Sequence, residues 1–305
     1  MTVTVRDLRL PDDVDPVYRA VRAARPYLVQ SRAALAWQLG HPPAGQRQRV
    51  LVAEYDGELV GVVRCGLDWE TSVPAQGYAH LSVQPARRGR GAGHALLAAA
   101  EDRLRTLGVR DVHATVATDP ASLRFAERHG YRRRRLARYQ RLDLASLPEL
   151  PPTPDGVRVR PWSAFAADPR PLWSADADAS RDEPGEVPVD DMPYPGWLVS
   201  CWQHPDTDRE LSLAAVVDGT VAAFTIAQTD PPRYWSGMTG TRRAHRARGL
   251  ATLVKIGSLR RAAERGLTEA YTGNDEHNAP MLALNARLGY RECATQWQCV
   301  RQLAP

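Results

Sequence analysis

The sequence predicts an α/β protein (α+β in some classifications) built from two similar domains. Strand-like and helix-like segments follow one another along the chain, a glycine-rich turn occurs twice, and the landmarks around that turn recur in the same order. The 305 residues are enough for two domains of ordinary size. Four prolines within residues 147–154 mark a linker, so we expect an N-terminal domain at 1–146 and a C-terminal domain at 155–305.

Composition excludes several classes of protein. Hydrophobic residues make up 43% and charged residues 25%, which is typical of globular domains. No apolar run approaches the roughly 20 residues of a membrane helix, and residues 1–6 begin a strand rather than a signal peptide. We therefore expect a cytoplasmic protein that has no membrane partner. Neither a disulfide framework nor a metal site is expected, because no CxxC pair or zinc-ligand spacing involves the four cysteines, Cys65, Cys201, Cys293 and Cys299.

The positive charge of the chain is concentrated in a few places. The net charge is +5, and the basic residues gather at the two glycine-rich turns and at residues 132–135. Because no basic arm or aromatic-interleaved basic strand is present, we do not expect a nucleic-acid partner. Only one of the 40 basic residues, Lys255, is a lysine.

The first glycine-rich turn predicts an anion site. A strand-like segment, Tyr78 to Val83, leads into the sequence QPARRGRGAG at residues 84–93, and an apolar helical run to Thr106 follows. The first N–H groups of a helix have no intrahelical partner and lie at the positive end of its dipole. Glycines let an anion approach the main chain, and the arginines add charge.

The chain repeats this turn in its second half. Arg246 to Ala251, RARGLA, repeats Arg88 to Gly93, RGRGAG, at an offset of 158 residues and again precedes a helical run. Asp218-Gly219 similarly repeats the Asp56-Gly57 hairpin turn. Landmarks in one order at nearly one offset indicate two homologous units.

This order of elements and the Arg-x-x-Gly-x-Gly/Ala turn resemble the GNAT superfamily of acyl-CoA-dependent N-acyltransferases, once in each half. The resemblance implies that each half is a mixed, mostly antiparallel sheet flanked by helices. It also implies that the turn binds the CoA pyrophosphate and that the preceding strand binds the pantetheine arm. In the first half the matching residues are Leu81, Ser82, Val83, Arg88, Gly89, Arg90, Gly91, Ala92 and Gly93. In the second half they are Thr239, Gly240, Thr241, Arg246, Ala247, Arg248, Gly249, Leu250, Ala251 and Asn278.

The chain departs from the family at its catalytic groups. Many members carry a tyrosine in the last helix, where this chain has Ala126 and Asn285, and many carry a glutamate on the strand before the turn. No carboxylate occurs at 77–83 or 235–241. The catalytic candidates are therefore His80 on the first strand, Glu183 and Asp191 in an acidic stretch of the second half, and Asn285 at the tyrosine position.

Each of these candidates has a structural alternative. His80 is also expected as a half-buried strand residue, and the acidic stretch as a solvated loop. Trp197 and Trp202 are candidates for lining an acceptor pocket, and equally for packing in the core.

The resemblance implies an acetyltransferase that moves the acetyl group of acetyl-CoA, or of another acyl-CoA, to the amine of a small molecule or peptide by direct attack in a ternary complex. We favour the C-terminal half as catalytic, because it carries Asn278 and the acidic stretch. The alternative is an acyl-CoA-binding sensor or scaffold without turnover. The sequence leaves open whether the chain forms a homodimer.

Overall fold

The computed structural model describes residues 2–182, 184, 190 and 192–303. Its strands are β1 Val3–Asp7, β2 Arg49–Tyr55, β3 Glu58–Leu67, β4 Gln76–Val83, β5 Asp111–Ala117, β6 Arg132–Asp143, β7 Val157–Pro161, β8 Leu213–Val217, β9 Thr220–Asp230, β10 Arg233–Thr241, β11 Glu269–Asp275 and β12 Arg291–Gln302. Its helices are α1 Val14–Ala24, α2 Arg32–Gly40, α3 Ala92–Thr106, α4 Pro120–Arg128, α5 Arg170–Ser180, α6 Tyr194–Trp197, α7 Leu250–Glu264 and α8 Ala279–Leu288.

The strands form one twelve-stranded sheet with the order β1-β2-β3-β4-β5-β12-β6-β11-β10-β9-β8-β7. Neighbouring strands are antiparallel except for β4 with β5 and β10 with β11. The predicted mixed, mostly antiparallel sheet flanked by helices is confirmed. None of the helices in the described part of the chain is long and apolar enough to span a membrane.

The last strand of each half pairs with the other half. Strand β12 lies against β5, and β6 lies against β11, while β6 and β12 pair with each other. The side chains follow the same exchange: Leu303 packs in the core of the first half, and Leu144 packs in the core of the second. The division of the chain at 147–154 stays a prediction, and in space the two halves share one sheet.

A buried ion pair strengthens this exchange. Glu101 on α3 is 4% exposed, and its carboxylate accepts hydrogen bonds from Arg301 of β12 at 2.6 and 2.7 Å and from Tyr131 at 3.2 Å. A buried carboxylate without a partner is costly, so the first half depends on an arginine from the end of the chain.

Local sequence signals explain the turns and helix starts. Asp56 and Gly57 have φ of 52° and 81°, the left-handed geometry that a two-residue hairpin turn requires. Asp119 begins α4, and its carboxylate accepts from the Ser122 amide at 3.0 Å. Asn278 begins α8 in the same way, accepting from the Met281 amide at 3.3 Å.

Of the two tryptophans that are candidates for an acceptor pocket, Trp197 lies in the core of the second half and Trp202 packs against that core. Trp197 is 1% exposed, and its ring packs against Trp162 at a centroid distance of 5.8 Å. Trp202 stacks with both rings, at centroid distances of 6.3 Å from Trp162 and 6.4 Å from Trp197. Core packing is therefore the alternative that the structure supports.

Candidate active site

Each half contains a gap between two parallel strands. Strand β4 pairs with β5 only over Gln76–Tyr78, and β10 pairs with β11 only over Arg233–Trp235. Beyond these pairs the strands separate, and a cavity lies beside each gap, of about 560 Å³ in the first half and about 810 Å³ in the second. The glycine-rich turn closes one end of each cavity. We call them the first and second cavity.

The predicted binding residues gather around these cavities. In the first half all of them line the first cavity except Arg90, whose guanidinium lies 5.2 Å from the centre of the Tyr55 ring. In the second half all ten line the second cavity, including Asn278. The role of these residues in binding a ligand stays a prediction.

In the first half the turn adopts its shape without strain. Gly89 and Gly91 have φ of 77° and 90°, which glycine adopts at no steric cost. Gly91 precedes α3, so the free N–H groups of the helix begin at the cavity. Gly93 packs beside α4, and a Cβ there would stand in van der Waals contact with the Phe125 ring at 3.4 Å.

The turn of the second half has the same shape but a different composition. Gly249 has φ of 72°, whereas Ala247 takes the place of Gly89 and has φ of 59°. An alanine in this region costs about 1 kcal/mol or more. This turn therefore retains its conformation although its sequence makes that conformation less favourable.

A carboxylate of the protein itself occupies the second turn. The Asp182 carboxylate forms ion pairs with both Arg243 and Arg246, and the Arg243 Nε donates to it at 3.0 Å. Hydrogen bonds from Arg243 and Arg246 hold the pKa of Asp182 far below its usual range. In the first half Arg88 lies 3.7 Å from the Asp119 carboxylate. Arginines that bind a carboxylate in this way, beside free helix N–H groups, fit a pyrophosphate.

The two central strands differ in their hydrogen bonding. Strand β4 pairs with β3 without interruption from Gly77 to Val83. Strand β10 has a bulge between Ser236 and Thr239, where Gly237 and Met238 both stand opposite one residue of β9. A bulge leaves main-chain groups without a partner in the ladder. In the second half such groups lie on the cavity wall.

His80 lies apart from the first cavity. Its side chain faces a third cavity of about 870 Å³, between the two halves, which Tyr78, Arg64 and His204 also line. Burial, with Arg64 and Arg25 nearby, lowers the pKa of His80 to about 3, so the ring is neutral at pH 7. Its catalytic role stays a prediction. Glu183 and Asp191 lie outside the described residues.

Asn285 lies on α8, is fully buried and contacts Lys255 of α7. Its Nδ2 donates to Asn274 Oδ1 at 2.7 Å and to Gln140 Oε1 at 3.0 Å. Its Oδ1 accepts from Lys255 Nζ at 2.8 Å. Asn285 therefore serves in this structure to position Lys255, and any catalytic role of its own stays a prediction.

Sequence reasoning missed two polar residues of the second cavity. Lys255 is 1% exposed, and burial lowers its pKa to about 7. Asp176 is 8% exposed, and its Oδ2 accepts from the Trp197 Nε1 at 2.7 Å. A signal for Lys255 was present: the only lysine of the chain aligns with Leu97 when the two turns are superposed. Nothing in the sequence distinguishes Asp176 from its acidic neighbours. Within the described ranges, no cluster of His, Cys, Asp and Glu could hold a metal ion.

Comparison with known proteins agrees with this architecture. The acetyltransferase (GNAT) family model matches residues 14–131 and again 173–290. The mycothiol acetyltransferase of Thermobispora bispora is 29% identical over 313 residues, which cover 97% of both chains. That of Nocardia farcinica is 30% identical over 273 residues, 86% of this chain and 84% of its own.

Solved structures share the fold. A tandem GNAT protein from the clavulanic acid biosynthesis pathway, determined without AcCoA, aligns with a TM-score of 0.75 at 22% identity over 100% of this chain and 99% of its own. A GCN5-related N-acetyltransferase from Sphaerobacter thermophilus aligns with a TM-score of 0.74 at 22% identity over 99% and 96%. This chain belongs to the GNAT family of acetyltransferases and contains the family's fold twice.

Proposed function

We propose that the C-terminal half of this acetyltransferase moves the acetyl group of acetyl-CoA to the amine of a small molecule, and that the N-terminal half binds acetyl-CoA without turnover. The observation that carries the proposal is the bulge of β10 at Gly237 and Met238, on the wall of the second cavity. Strand β4 is regular at the corresponding place.

The bulge favours catalysis because acyl transfer develops negative charge on the carbonyl oxygen. Main-chain N–H groups that are free of the ladder and fixed by the sheet stabilise such charge. Arg243, Arg246 and the first N–H groups of α7 would hold the pyrophosphate once Asp182 leaves them. Acetyl-CoA supplies an activated thioester, and positioning the amine beside it provides much of the acceleration.

Asp176 is the described carboxylate best placed to receive the amine. It is buried in the wall of the second cavity, and the Trp197 indole fixes one of its oxygens. A carboxylate there attracts an ammonium and takes its proton, directly or through water. Glu183 and Asp191 remain candidates for the same task.

The relatives suggest the kind of acceptor. They are named mycothiol acetyltransferases and match nearly the whole chain. We therefore propose a small-molecule amine, and the deacetylated form of mycothiol is the first to test. The predicted absence of a metal and the predicted cytoplasmic location stay predictions.

A matched pair of turn variants tests the assignment of the two halves. Arg246→Ala with Gly249→Val disables the second turn, and Arg88→Ala with Gly91→Val disables the first. Thiol release from acetyl-CoA is followed over a panel of amines, and CoA binding is measured by calorimetry. We expect the second-turn variant to lose turnover at least about a hundredfold, because it loses the pyrophosphate contacts that position acetyl-CoA.

The first-turn variant should retain most of its turnover and lose one CoA site. The opposite result would assign catalysis to the N-terminal half. Binding of CoA by the unaltered protein without thiol release for any amine would favour the sensor or scaffold.

A further inference from the structure

The only lysine of the chain is buried in the wall of the second cavity. Lys255 Nζ donates to Asn285 Oδ1 at 2.8 Å, lies 3.8 Å from Met281 Sδ, and stands 5.5 Å from the centre of the Tyr290 ring. An ammonium has three N–H donors. Among the described residues one oxygen accepts from it, so the remaining donors are available to a ligand in the cavity.

No acidic partner in the described ranges accounts for this lysine. The tyrosine whose ring faces it, Tyr290, has a pKa raised by burial and is neutral. The described carboxylates of the cavity are Asp176 on α5, which bonds Trp197, and Asp182 just after α5, which pairs with Arg243 and Arg246. A buried charge without a counter-charge is destabilising.

The fold does not need a lysine at this position. Leu97 occupies the equivalent place on α3 in the first half, 158 residues earlier, and is 4% exposed. An apolar side chain at this position of the helix therefore packs against the sheet without difficulty. The polar group of the second half is retained at a cost in stability, which indicates a chemical role.

Lys255 also lines the same cavity as the groups that would surround the thioester. It shares the cavity with the second turn and with the bulge. Tyr290, whose ring faces the ammonium, is beside Ser236, the residue that precedes the bulge.

Given the function proposed above, on which this inference rests, we infer that Lys255 is the acid that protonates the sulfur of CoA as the acetyl group leaves. The C–S bond breaks, its electron pair stays on sulfur, and a proton moves from Nζ to that sulfur. The lysine then regains a proton, which balances the one released by the attacking ammonium. Asn285 positions the donor through its Oδ1.

The acidity of the groups agrees with this direction of transfer. Burial lowers the pKa of Lys255 to about 7. A thiol has a pKa of about 8.5 in water, so the two groups are close enough in acidity to share a proton as a coupled pair. A solvated lysine, with a pKa of about 10.4, would hold its proton more tightly than the thiol does.

Because the chain has one lysine, nuclear magnetic resonance can test the contact directly. The full-length protein labelled with ¹³C and ¹⁵N in lysine gives one lysine side-chain signal. Its pH titration is recorded for the free protein, with CoA, and with S-methyl-CoA, whose sulfur does not ionise. We expect a midpoint near 7 in the free protein, a higher midpoint with CoA, and no comparable rise with S-methyl-CoA.

A second measurement uses the ultraviolet absorbance of the thiolate. CoA bound to the unaltered protein should ionise at a lower pH than free CoA, and this shift should be absent in Lys255→Leu. Equal lysine midpoints with both ligands, or a lysine signal that ignores CoA although calorimetry records two bound molecules, would overturn the inference. A lysine that responds to the thiol in a protein that acetylates no amine would instead refute the proposed function and leave the contact standing.

Discussion

The N-terminal and C-terminal halves differ most where the cofactor's ends would lie. The first half has glycine at both left-handed positions of its turn, whereas the second has Ala247 at one of them. The first half has an apolar Leu97 and a regular strand beside its cavity, whereas the second has Lys255 and a bulge. The half whose turn is less strained thus has neither a charged group nor a strand bulge beside its cavity. On the proposed assignment both halves bind CoA through their turns, and the groups at the far end of the cavity distinguish the half that reacts.

Replacing Lys255 by leucine makes the second half resemble the first and has the largest expected effect. Loss of a general acid lowers kcat by about a hundredfold or more. The variant should be at least as stable as the unaltered protein, because it removes a buried unpaired charge and inserts the side chain that the first half already accommodates. Turnover and the free energy of unfolding are measured together, with Ile256→Val as a control on the same helix.

The pH dependence gives a second test of this residue. Lys255 must be protonated to act, and its pKa of about 7 lies well below that of a solvated lysine. Activity limited by this step should fall as the pH rises through about 7, and Lys255→Leu should lack that decline. Its stability gain should be largest below pH 7 and vanish above the pKa of the unfolded lysine, since only there are both states neutral. If activity still falls with rising pH in the variant as it does in the unaltered protein, Lys255 is not the proton donor.

The exchanged strands supply a matched pair of core variants. Leu303 follows β12 but packs in the first core, and Leu144 follows β6 but packs in the second. Each leucine is at most 5% exposed, and Leu→Ala at such sites costs about 2–5 kcal/mol of unfolding free energy. We expect Leu303→Ala to increase hydrogen exchange first in α3, and Leu144→Ala first in α7.

Faster hydrogen exchange first in α7 for Leu303→Ala, or first in α3 for Leu144→Ala, would contradict the packing of each leucine in the core of the other half. Equal loosening of both halves by each variant would show instead that the shared sheet unfolds as one unit. Denaturant titration gives the size of the loss, and exchange measured by mass spectrometry gives its place.

Much of each half could be predicted from short-range signals. Asp56-Gly57 specified the hairpin between β2 and β3, Asp119 specified the start of α4, and the glycines of the first turn specified the start of α3. These features depend on the conformational preferences of a few adjacent residues, which the sequence displays directly.

The pairing of the last strands could not be predicted in the same way. Residues 132–144 alternate whichever partner they have, so nothing local places β6 beside β11 rather than beside β5. The cavity residues were missed for a related reason. Asp176 belongs to an acidic stretch by sequence, and only the packing of α5 buries its carboxylate beside Trp197. In the sequence Lys255 is a single cation within a helical run, and only the packing of α8 on α7 buries it.

The anions that occupy the two turns allow the smallest and finest comparison. Asp182 pairs with Arg243 and Arg246, so on the proposed binding mode CoA would displace this carboxylate from the second turn. Asp182→Asn should tighten CoA binding at that site by about two- to fivefold, the size expected for exposed ion pairs, and the gain should shrink as salt is added. Asp119→Asn is the matched change in the first half. It should have less effect, because Asp119 lies 3.7 Å from Arg88 and also caps α4, a task that asparagine performs equally well. Calorimetry at two salt concentrations resolves the two sites. Weaker CoA binding in Asp182→Asn would mean that this carboxylate holds the arginines in place for the pyrophosphate rather than competing with it.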